Sequence, residues 1–108
     1  MKYYTIAILS NNDINLNLND AIKLDSTYKI IDTFKATKDD EEIVFDYFIS
    51  DNLDLLKKLG ALTDNKKILT NASFQTTIEN TFAFGSAINS KYDKDYQLKT
   101  IIDTIYEK

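Results

Sequence analysis

A chain of 108 residues with two glycines and no cysteine, histidine, proline or tryptophan is bounded as much by what it lacks as by what it holds. Its 44% hydrophobic and 28% charged content supports one packed core, so a single domain over residues 1–108 is expected. This composition, with no cysteine or histidine, all 13 basic residues lysine and a net charge of −4, removes the thiols and imidazoles of common catalytic and zinc sites. It also removes the arginine-rich basic stripe of nucleic-acid binders. No catalysis by the chain alone, no resident metal and no nucleic-acid partner are therefore expected.

Tyr3 to Leu9 is a short apolar run rich in β-formers, ended by the polar cluster Ser10-Asn11-Asn12-Asp13, and reads as a buried strand. That run is too short for a signal peptide, and nothing approaches the roughly 20 apolar residues of a membrane span. A cytoplasmic protein without membrane contact is expected. Asn15 to Leu24 reads as a helix, with Asn19-Asp20 ahead of Ala-Ile-Lys-Leu supplying a cap, although Ile14, Leu16 and Leu18 alternate with asparagines in a strand-like way. Thr27 to Phe34 and Ile43 to Ile49 are β-rich, and the charged tract Lys35 to Glu42 between them suits a hairpin or a longer return. Its acidic part, Asp39 to Glu42, reads as a solvated turn.

Asp51 or Asn52 can cap a helix from Leu53 to Leu59, where Leu53, Leu56 and Leu59 share a face and Gly60 supplies the stop. Lys66 to Asn71 and Asn80 to Phe84 read as short strands. From Asp93 or Asp95 to Glu107, Leu98, Ile101, Ile102 and Ile105 recur at helical spacing. The order is roughly β-α-β-β-α-β-β-α, an α/β fold with its sheet flanked by helices.

The stretch FDYFISDNLDLLKKLG, followed by ILTNASFQTTIENTFAFGS, resembles the closing flavin-domain segment of the thioredoxin reductase family of pyridine nucleotide-disulfide oxidoreductases. There the pattern runs through "elLkklG", "gyIvvd" and "TsvpGvFAaGD" to a final helix. The resemblance covers residues 43–108, closest from Ile43 to Ser86. It implies a flavin contact at Gly85, Ser86 and Ala87, with Ile88 and Asn89 on the same corner. The family's Asp, which accepts from a flavin ribityl hydroxyl, is here Ser86, and no glycine-rich dinucleotide turn or redox cysteine pair is present. Aligned to the family's nicotinamide domain, Ser10-Asn11-Asn12 falls where basic residues grip the extra phosphate of NADPH.

A strand end at Gly85-Ser86 can also offer backbone N–H groups to an anion, or be an ordinary strand-to-loop turn. Phe45, Phe48 and Phe82 are expected in the core, while Tyr92, Tyr96 and Tyr106 suit an exposed or dimer-facing patch. The reading that follows is a truncated, non-catalytic reductase-like module acting by homodimerisation or by binding a reductase-like protein, with no cofactor in the isolated chain. Two alternatives stand beside it. The chain could complete an FAD site with another polypeptide, or act as an acidic binding protein or inhibitor of a basic surface.

Overall fold

Three consecutive buried residues, Ile6, Ala7 and Ile8, announce a strand covered on both faces, which is the mark of a parallel sheet inside an α/β protein. The computed structural model describes residues 4–10 and 21–107, and the start of the expected first helix, like Asn11-Asn12, lies outside the described residues. Strand β1 (Ile6–Leu9) pairs in parallel with β2 (Ala21–Leu24). The residues Ala21 to Leu24, expected to end a helix, are thus a strand: pairing with β1 outweighs a local pattern that fits either element.

After β2 the chain forms an antiparallel meander of β3 (Lys29–Ile30), β4 (Lys35–Lys38) and β5 (Glu41–Val44). The charged tract is therefore itself the hairpin. It turns through Asp39 and Asp40, both left-handed at φ 51° and 66°, a conformation that Asp tolerates better than most residues. Strand β6 (Tyr47–Ser50) then returns to the parallel sheet beside β1, so the run Ile43 to Ile49 is split between two sheets around Phe45-Asp46.

Helix α1 (Leu53–Lys58) begins where Asn52, rather than Asp51, accepts from Leu55 N–H at 3.0 Å. It ends in a Schellman motif, with Gly60 at φ 108° and Ala61 N–H donating to Leu56 O at 3.0 Å. A two-residue hairpin of β7 (Thr63–Asp64) and β8 (Lys67–Ile68) follows, and β9 (Thr81–Ala83) completes the sheet in the order β2-β1-β6-β9. Phe74 to Thr76 run antiparallel along the far side of β9 and hydrogen-bond to it, closing that edge. A 3-10 turn, Gly85–Ala87, leads to helix α2 (Lys94–Tyr106), capped by Asp93.

The molecule is a small α/β domain of three layers. Tyr47 and Phe48 are consecutive in β6 and so point to opposite faces. Tyr47 packs edge-on against Tyr4, which in turn meets Tyr106 of α2, whereas Phe48 stacks on Phe45 at the end of the meander. The α2 layer and the meander layer therefore cover opposite faces. The expected core residues Phe45, Phe48 and Phe82 are buried, joined by Phe84 and by Leu98, Ile101 and Ile105 of α2. Burying each of these large side chains contributes about 1.5–3 kcal/mol. Among the described residues no helix is long and apolar enough to cross a membrane.

Candidate functional site

In open parallel sheets the crevice for a ligand forms at the carboxyl ends of the strands, where successive connections leave a strand in opposite directions. Here that point lies between β1 and β6. The chain leaves β1 for β2 on one side and comes back to β6 on the other. At the crevice Ser10 Oγ donates to Asp51 Oδ2 at 2.7 Å, joining the ends of the two strands, and Asp51 is 3% exposed.

Gly85, Ser86 and Ala87 stand one strand further along, at the end of β9. Gly85 has φ 61°, and a Cβ there would lie 3.4 Å from Asp51 Cβ, so a glycine is suited to both the conformation and the approach. Its N–H donates to Gln97 Oε1 at 2.6 Å, and Gln97 Nε2 donates to Tyr92 O at 2.6 Å. The buried α2 residue Gln97 thus straps the corner to the loop before its own helix. Lys67 Nζ donates to Ser86 O at 2.7 Å, and Ala87 is fully buried. At this corner the Gly85 N–H is engaged by Gln97 and Ser86 is exposed.

Beside Ser10 a cavity of about 570 Å³ opens between the ends of β1 and β2, the meander and α1. Ser10, Asp25, Tyr28, Lys29, Asn52 and Lys58 are on its walls. Thr27 holds the Asp25 carboxyl below its ordinary value through its hydroxyl and then its backbone N–H, opposed by desolvation. Two lysines and one carboxylate give this cavity mixed charge.

The opposite, amino end of the sheet holds a second cavity of about 460 Å³, which sequence reasoning did not foresee. Tyr4, Phe34 and Tyr47 supply aromatic walls, and Asp46, Gln75, Glu79 and Asn80 supply polar ones. Asp46 Oδ2 accepts from Thr5 N–H at 2.9 Å, and no lysine among the described residues pairs with Asp46 or Glu79. Burial lifts the Tyr47 phenol above the ordinary tyrosine value, with Tyr4 and Asp46 adding to the shift. Asn80, left-handed at φ 64°, uses Nδ2 to donate to Thr33 O at 3.1 Å and Asp46 O at 3.0 Å. Its Oδ1 is buried without a partner.

The three tyrosines grouped in the sequence are all exposed but do not form one patch. Tyr92 and Tyr96 stack at 4.4 Å at the start of α2, and Tyr106 lies about 15 Å away at its end. Gln97 carried a signal that could have been read, an amide within the buried stripe of a helix. Asn80 and Glu79 carried none, since their role depends on strands brought together from distant parts of the chain.

No protein-family model matches the chain, and no curated protein matches it. Among solved structures it is similar to a ferredoxin-flavin thioredoxin reductase from Clostridium acetobutylicum, with 12% identity and a TM-score of 0.35. The alignment covers 95% of this chain and 50% of that one, so the chain spans about half the length of that protein. A likeness this distant assigns neither a family nor an activity.

Proposed function

We propose that the chain is a non-catalytic module, thioredoxin-reductase-like in its sequence pattern, that works by associating with another protein or with a second copy of itself. The observation that carries this reading is the grouping of exposed apolar side chains on the meander. Val44 is 64% exposed, Phe34 48% and Ile31 44%. Val44 pairs with Lys35 across the β4–β5 ladder, and Ile31 N–H donates to Lys35 O, so the three gather at one end of the meander. Exposed apolar side chains brought to one end of a meander favour contact with another surface. The strands β1, β6 and β9 are largely buried on both faces by this chain itself.

Sedimentation over a wide concentration range, together with sizing of any complex purified from the native host, tests the reading. A dimer or a complex of fixed stoichiometry is expected, weakened by Val44→Ser without loss of fold. A strict monomer that forms no such complex overturns it. A flavin site completed with another polypeptide is the competing reading, favoured by the left-handed glycine at the end of β9. It requires Gly85 to exchange Gln97 for the cofactor, and saturable quenching of FAD fluorescence by the complex would support it.

A further inference from the structure

We propose that the free edge of β5 docks a second copy of this chain, the two β5 strands pairing antiparallel about a two-fold axis. This rests on the association reading and commits it to one partner. The meander ends at β5, and its tight turn at Asp39-Asp40 makes Lys38 and Glu41 a hydrogen-bonded pair. By alternation Ala36 and Ile43 form the next such pair, and Phe45 N–H donating to Phe34 O at 2.8 Å marks the one after. Glu42 and Val44 fall between these pairs, so their N–H and C=O groups point away from β4. Among the described residues no hydrogen bond takes up those groups. The far edge of the parallel sheet is closed by Phe74 to Thr76, whereas this edge is left open.

The sequence of the edge is complementary to itself. With Glu42 opposite the partner's Val44, each outward N–H meets an outward C=O on both strands, and Ile43 lies on the axis opposite the partner's Ile43. Edge charges ordinarily oppose pairing, but this register sets Glu42 against an apolar side chain and never against another carboxylate. Val44, 64% exposed, has Lys35 beside it on β4 and receives the partner's Glu42 on its open side. Neither Lys35 nor Glu42 has an ion pair among the described residues. Across the axis they stand two strand spacings apart, about 10 Å between backbones, which the two long side chains span over the valine. Symmetry repeats that pair, so the contact covers both Val44 side chains and joins opposite charges twice. The ladder is short, which places the dimer at the small, weak end of specific interfaces.

The test is amide hydrogen exchange of the full chain, read residue by residue by NMR over concentrations at which sedimentation follows monomer and dimer. Ile43 N–H, bonded within the meander, should exchange slowly throughout, while Glu42 and Val44 should be fast in the monomer and slow in the dimer. Val44→Pro removes an outward donor without removing a hydrogen bond of the fold, and should weaken dimerisation about tenfold or more. Glu42→Lys should weaken it about two- to tenfold, and Lys35→Glu added to Glu42→Lys should restore it. A chain monomeric at every concentration, a dimer in which the Glu42 and Val44 amides stay fast, indifference to Val44→Pro, or no restoration by the charge exchange overturns the inference. Any of these beside a stoichiometric complex with a different protein leaves the association reading standing. Protection of the same two amides by that protein alone gives the edge to it and removes the second copy. A monomer that forms no complex removes both readings.

Discussion

The two ends of the parallel sheet are built on opposite principles. At the carboxyl end the polar groups serve one another: Ser10 donates to Asp51, Gly85 and Tyr92 share Gln97, and Lys67 reaches Ser86 O. At the amino end aromatic residues share a cavity with Asp46 and Glu79, which no lysine among the described residues neutralises, and the buried Asn80 Oδ1 is left without a donor. The end where α/β folds usually hold ligands is thus tied together around Asp51 and Gln97, beside a cavity walled by Asp25, Lys29 and Lys58.

The sharpest way to break this contrast is Gln97→Leu, which fills the same space but strands the Gly85 N–H and the Tyr92 carbonyl. A loss of about 2–4 kcal/mol is expected, read from the urea midpoint, because each stranded group costs about 1–3 kcal/mol. A smaller loss would mean that water replaces the strap and that the corner is open. Next comes Gly85→Ala, which places a side chain at φ 61° against Asp51 and should cost about 1–2 kcal/mol in the same measurement.

Acid and base should separate the two ends more gently. Because Tyr47 is held above the ordinary 10.0, the fold prefers its neutral phenol. The resulting contribution is complete below that ordinary value and is lost as pH rises through the folded one. Tyr47→Phe should therefore flatten the alkaline fall in stability, and phenolate absorbance should show one late-titrating tyrosine disappear. The smallest effect is expected at the other end, where Asp25 is exposed and its folded value lies below 3.8. Its contribution is complete above that ordinary value and lost as pH falls through the folded one. Thr27→Val, which removes the principal hydrogen bond to the carboxyl, should reduce the slope of the acid limb slightly.

How much of this was legible in the sequence depended on whether local signals agreed. For α1 the cap, the leucine spacing and the glycine stop all point one way, and the helix lies where they put it. For Ala21 to Leu24 the local pattern fits a helix, and pairing with β1 decides for a strand. A hairpin was legible between the β-rich runs, but not that the charged tract itself supplies its strands, because the turn is Asp39-Asp40 with no glycine to mark it. At the candidate corner the residues around Gly85 could be found from the family resemblance. Their hydrogen-bond partners could not, since Gln97 and Asp51 approach from other elements. The aromatic cavity was illegible for the same reason: it gathers Tyr4, Phe34, Tyr47 and Asn80 from four separate places in the chain.

The mixture of sheets also sets an order of events during folding. The pairings of the parallel sheet join residues from 15 apart, as Ile6 with Ala21, to 41 apart, as Ile6 with Tyr47, so loops must close before they are rewarded. The β3-β4-β5 meander needs only short turns to form its ladder. From contact order the meander is expected to form before the parallel sheet, with Phe45 placed to meet Phe48. Until that sheet closes, Ile6, Ala7, Ile8, Phe48 and Phe82, buried in the finished fold, are expected to be open to other chains.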